Sequence, residues 1–144
     1  MCGKRFEFLE HTADAYIAAY GKNLPEAFEN AALALFEVMT DTGNVKPLVE
    51  EEIELEAPDK ASLLYSWLEE LIVRFETSGM LYSKFRVLKL EGGKDGFRLK
   101  AKIWGEPFDE ARHVQKVGVK AVTYHRMEIS EEPGNVVVKF ILDI

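Results

Sequence analysis

Lys84-Phe85-Arg86-Val87-Leu88-Lys89-Leu90-Glu91, then Gly92-Gly93-Lys94-Asp95-Gly96, then Phe97-Arg98-Leu99-Lys100-Ala101-Lys102-Ile103 is the stretch on which the fold class turns. After the glycines, Phe97, Leu99, Ala101 and Ile103 alternate with Arg98, Lys100 and Lys102. A period of two suits a strand with one apolar face and one wet face. A short glycine-rich turn joins chain neighbours, so residues 84–91 and 97–104 should pair as a hairpin. That makes the sheet mainly antiparallel.

Downstream, a short helical or irregular piece around residues 108–116 leads to a strand at 121–130. Pro133-Gly134-Asn135 is a turn, and residues 136–142 are the final strand. Upstream, Ile53-Glu54-Leu55-Glu56-Ala57 is another period-two strand, broken by Pro58. Asp59 can cap a helix whose apolar face is Leu64, Trp67, Leu68, Leu71, Ile72 and Phe75, with Gly79 as its stop. Earlier still, Asn23 with Glu26 resembles a capping box for a helix at 24–40, carried by Leu24, Ala27, Phe28, Ala31, Leu35 and Val38. Phe6-Glu7-Phe8 and residues 14–20 read as strands, with His11-Thr12-Ala13-Asp14 between them or at the second strand's start. The expected fold is α+β: two amphipathic helices packed on one face of a mainly antiparallel sheet. With no repeat, low-complexity tract or linker, residues 1–144 read as a single domain.

The chain has 144 residues, 47% apolar and 30% charged, a globular profile. A domain of this size buries roughly 70% of its unfolded surface and needs no disulfide or metal to hold a core. The start Met1-Cys2-Gly3-Lys4-Arg5 lacks the apolar stretch of a signal peptide, and no apolar run is long enough for a membrane span. The lone Cys2 forms no intramolecular disulfide, and a cytoplasmic location is expected. The net charge of −7 disfavours autonomous nucleic-acid binding unless charges segregate strongly, because affinity for a polyanion comes from Lys and Arg on phosphates. The balance favours a protein partner, a cation, or both.

Most candidate sites read as structure. Arg98, Lys100 and Lys102 are expected on a solvated face, with Glu54 and Glu56 as cross-strand partners and no aromatic platform beside them. Trp67 and Phe75 belong to a core. His125 shares strand parity with Met127 and Ile129 and is expected to pack, while His113 has no neighbouring ligand spacing. No nucleophile elbow or phosphate-binding glycine loop is present. The end of the chain differs. Val136, Val138, Phe140 and Leu142 give one face of the last strand and Asp143 lies on the other, next to the carboxylate of Ile144. If Asp14 lay on a neighbouring strand, three carboxylates would converge and favour a hard cation: calcium, magnesium or manganese. The alternative is one Asp closing a strand and another opening one.

Phe8-Leu9-Glu10-His11-Thr12-Ala13-Asp14, Gly118-Val119-Lys120-Ala121-Val122-Thr123-Tyr124-His125 and Ile141-Leu142-Asp143-Ile144, in that order and spacing, resemble the archease family. The likeness extends through both helices. It implies an accessory protein for the RtcB-type RNA ligase of tRNA splicing, which passes through a guanylylated histidine of its own. In that family the accessory protein promotes guanylylation, allows multiple turnover and broadens nucleotide use. The resemblance implies a divalent cation, calcium first, held by Asp14, Asp143 and the end of the chain at Ile144. It also makes Lys120 a functional residue, and it assigns the chain no catalytic residues of its own. The competing expectation is a metal-independent, chaperone-like binding module for RNA-processing proteins. A metal-dependent hydrolase using the same carboxylates lacks any further recognisable acid, base or orienting motif.

Overall fold

The computed structural model describes residues 4–11 and 14–144. Its elements run β1 (Phe6–His11), β2 (Asp14–Gly21), α1 (Leu24–Met39), a 3-10 turn at Thr42–Asn44, β3 (Val49–Ala57) and α2 (Lys60–Ser78). Then follow β4 (Met80–Gly93), β5 (Gly96–Pro107), β6 (Ala121–Glu132) and β7 (Asn135–Asp143). The α+β class holds. Among the described residues every strand pairing is antiparallel, and the strands divide between two sheets, ordered β1-β2-β7-β6 and β3-β5-β4. Cys2, Thr12 and Ala13, on which parts of the sequence reading fall, lie outside the described residues.

Two sheets change the place of the helices. Each helix packs against both sheets: α1 against β2, β7 and β4, and α2 against β6, β3 and β5. This is why α1 is buried well beyond one stripe, with Ala32, Ala34, Phe36 and Met39 joining the expected face. The inner faces of the sheets meet the helices through Ile17, Phe140 and Leu142 on one side and Leu99, Ala101 and Ile103 on the other. Trp67 is fully buried, and its indole N–H donates to the Phe28 carbonyl at 2.9 Å, joining the two helices.

The helix signals in the sequence are local and hold. The Asn23 side chain accepts the Glu26 N–H at 2.9 Å, while Glu26 accepts the Lys22 N–H at 2.7 Å. Asp59 accepts the Ser62 N–H at 2.7 Å. Gly79 ends α2 at φ 71°, in the left-handed region that glycine enters without a Cβ clash. Strand ends are less local. The hairpin runs on in both directions to Met80 and Pro107, and its turn shrinks to Lys94-Asp95 between the paired Gly93 and Gly96.

One expected strand is interrupted. The β6–β7 register shifts between Thr123 and Glu128, so residues 124–127 bulge from the ladder. The shift defeats the parity placed on His125, which is exposed and not packed. Arg126 takes φ 58° there, and its guanidinium lies 4.3 Å from the centre of the Tyr16 ring. Tyr124 stacks on Tyr65 of α2 at 4.2 Å.

Candidate functional site

Asp14 opens β2 and Asp143 closes β7, and the register sets them directly opposite each other. Residues opposite each other in an antiparallel pair project to the same face with Cβ atoms roughly 5 Å apart. Their chain neighbours Ala15 and Leu142 point into the core, so the two aspartates occupy the outer face, and both are exposed. On the far side of β7, Asp143 is opposite Ala121, and the Lys120 N–H donates to the Asp143 carbonyl at 2.7 Å. The strand order therefore brings Asp14, Asp143 and Lys120 to one end of one sheet. Ile144 follows at once, half-buried against the core. Among the described residues, neither aspartate carboxylate nor the Lys120 ammonium has a hydrogen-bond or ion-pair partner.

The approach to Lys120 is fastened at several points. His113 is buried, its Nδ1 accepting the Asp109 N–H at 2.8 Å. That leaves Nε2 to carry the hydrogen toward Glu106, 2.9 Å away. Burial alone would raise the Glu106 carboxyl. Hydrogen bonds from the Lys46 N–H, His113 and Arg112, with the Arg112 charge, override burial and hold it at about 2. Farther along, the Thr40 hydroxyl donates to the Val114 carbonyl at 2.7 Å and the Lys116 N–H to the Met39 carbonyl at 2.9 Å. The segment from Phe108 to Lys120 is irregular yet tied to β5 and to the C-terminal end of α1.

Two aspartates held face to face repel each other, and directly opposed like charges destabilise a sheet. The donor chemistry suits a hard divalent cation, which takes carboxylate and carbonyl oxygens. Among the described residues no three His, Cys, Asp or Glu side chains group as a metal centre. The two facing aspartates fall one short of such a group, and the sequence expectation adds a third oxygen donor at Ile144, which follows Asp143 directly.

The model of the Archease protein family (MTH1598/TM1083) matches residues 6–144. The chain belongs to the archease family. It is 48% identical over 141 residues to the protein archease of Methanothermobacter thermautotrophicus, covering 98% of this chain and 99% of that one. Identity to the protein archease of Sulfurisphaera tokodaii is 46% over 141 residues, with 98% and 99% covered. The solution structure of Methanobacterium thermoautotrophicum protein 1598 superimposes with a TM-score of 0.84 at 47% identity, covering 97% of this chain and 99% of that one. A crystal structure of an archease, possible chaperone, from Thermotoga maritima shares the fold at 15% identity, with a TM-score of 0.59 and 96% of each chain covered.

Within this archease-family fold, two features escaped the sequence reading. Trp104 shares the face of Arg98, Lys100 and Lys102, so an aromatic group does stand there; its parity in residues 97–104 was a visible signal. Its indole donates to Glu50 at 3.1 Å, and Lys84 sits 4.6 Å from its ring centre. Arg126 over Tyr16 has no such signal, because a left-handed residue announces itself in sequence only when it is Gly, Asn or Asp. The expected ion pairs of the basic stripe are present, Arg98 with Glu56 at 3.4 Å and Lys100 with Glu54 at 4.0 Å. No helix among the described residues is long and apolar enough to cross a membrane.

Proposed function

We propose that this chain is a cytoplasmic accessory protein of an RtcB-type RNA ligase, holding a divalent cation on Asp14, Asp143 and the carboxylate of Ile144. What supports this reading is the pairing of Asp14 opposite Asp143 on an exposed face, with Lys120 bonded to the same residue. Calcium is the first candidate cation, with magnesium and manganese the others. A cation bound there would supply positive charge to stabilise phosphoryl oxygens at the ligase's nucleotide site. Asp14 and Asp143 hold it at the sheet end, where both are exposed to a partner. Lys120, exposed on the same end and fixed through its own N–H, contacts a nucleotide phosphate or a ligase carboxylate. The nucleophilic histidine and the acid–base chemistry belong to the ligase, so this chain promotes guanylylation, multiple turnover and broader nucleotide use without catalytic residues of its own.

The test is guanylylation of the ligase with wild type, Asp14→Ala and Asp143→Ala, each checked for folding by circular dichroism. Loss of stimulation in both folded variants is expected. Full stimulation by both would instead support a metal-independent, chaperone-like module.

A further inference from the structure

The net charge of −7 hides a segregation of charge. Far from the aspartates, an open groove of about 1110 Å³ lies where the lead into β1, the β2–α1 corner and β4 meet. Lys4, Arg5, Lys22 and Lys84 line it, against two carboxylates, Glu26 and Glu29. Both carboxylates are engaged: Glu26 accepts the Lys22 N–H at 2.7 Å and Glu29 the Val87 N–H at 2.8 Å. Burial also pushes the Glu29 carboxyl upward. Lys4 approaches a third carboxylate, the half-buried Glu7, at 3.4 Å, and Glu7 also accepts the Tyr20 hydroxyl at 2.8 Å, so four cations face three carboxylates at the groove itself. Tyr20 and Phe85 stand in the groove wall, Phe85 with its inner side stacked on Phe36 at 5.9 Å and only its outer side toward the groove.

The cations continue along β4, an edge strand. Arg86 faces Lys102 and Lys89 faces Lys100 across the ladder, like charges set directly opposite. Lys100 and Lys102 reach the other way, to Glu54 and Glu50 on β3. Lys84, Arg86 and Lys89 are exposed and prolong the groove's positive surface. This surface meets the Gly21 end of β2, the end opposite Asp14, roughly 24 Å away for an extended strand of this length.

We propose that this groove, extended by β4, binds single-stranded nucleic acid through its phosphates. A cationic groove with aromatic walls is the arrangement such a strand uses, its phosphates meeting Lys and Arg while bases meet rings. The net charge argues against polyanion binding only when charge is spread evenly, and here it is not. The inference stands independently of any ligase and of the aspartate end.

The experiment is fluorescence anisotropy of a labelled twelve-nucleotide oligouridylate titrated with the full chain at 50 and 200 mM potassium chloride. Four phosphate contacts give a salt slope near −3, so affinity should fall roughly 50-fold across that range. Lys22→Glu and Lys84→Glu should each weaken binding about tenfold and flatten the slope by roughly 0.7, one contact's share. Lys116→Glu changes net charge equally but sits against the C-terminal end of α1, 3.0 Å from Glu37 and away from the groove, and should alter affinity less than about twofold by comparison. Thermal melts confirm that each variant is folded. No wild-type binding at 50 mM salt, or equal weakening by Lys116→Glu, overturns the proposal. Displacement of the oligonucleotide by polyglutamate at equal charge overturns it too, since carboxylates would then serve as well as phosphates.

Discussion

Replacing Asp143 with Asn removes one of two facing carboxylates while keeping the side chain's shape and the main-chain bond from Lys120. Two unit charges about 5 Å apart at an exposed sheet end repel by roughly 1 kcal/mol at low salt. In EDTA the variant should therefore be the more stable protein, by roughly 3 °C in Tm for a domain near 150 residues. Calcium should reverse the order. At one hundred times its Kd, a ligand that binds only the folded state adds about 2.7 kcal/mol, or roughly 8 °C here. If the substitution raises the Kd about a hundredfold, the same calcium concentration gives the variant only about 0.4 kcal/mol, near 1 °C. Differential scanning calorimetry of wild type and Asp143→Asn, each in EDTA and in calcium, reads all four values. Equal calcium shifts in the two proteins would refute the cation-binding role of Asp143. An unchanged or lower Tm for the variant in EDTA would refute the opposed-charge premise.

Other expectations follow from contacts elsewhere in the fold. Glu106→Gln should cost about 1–3 kcal/mol at neutral pH, because the groups that its carboxylate now satisfies lose a charged acceptor, and urea unfolding measures it. The carboxyl is held at about 2 in the folded chain, below its unfolded value, so its contribution is present above the ordinary carboxylate range. It should be lost as pH falls through that range toward about 2, and the variant should lack this acid-sensitive component in melts across pH. Trp67→Phe keeps most of the buried area but leaves the Phe28 carbonyl without its 2.9 Å donor, and about 1–3 kcal/mol should be lost in urea unfolding. Gly79→Ala places a Cβ on a residue at φ 71° and should lower stability by about 1 kcal/mol, with the fold unchanged by circular dichroism.

Much of this molecule could be read in the chain because its signals are local. The caps at Asn23 and Asp59, the stop at Gly79 and the alternation through Phe97–Ile103 each depend on a few adjacent residues. The division into two sheets is not local. Whether β3 and β7 share a sheet depends on pairings among residues far apart in sequence, and each strand's pattern satisfies either arrangement. The burial of α1 by both sheets is legible only afterwards, in the apolar residues Ala32, Ala34 and Phe36 that fell outside the single expected stripe. At the aspartate end, periodicity placed Asp143 on the outer face but could not name its neighbour. The pairing with Asp14 depends on β7 lying beside β2, a matter of strand order. His125 failed for the opposite reason: parity carried through a strand is reset by a bulge, and nothing in Tyr124-His125-Arg126-Met127 marks one.

The cation-bearing activator account rests most heavily on Ile144, half-buried beside Asp143 at the end of the sheet. Guanylylation of an RtcB-type ligase should be measured with wild type and with a chain ending at Asp143, both verified as folded and both in calcium. Removing that single residue moves the terminal carboxylate away from its place, and stimulation should fall at least tenfold. Undiminished stimulation by the shortened, folded chain would contradict the account.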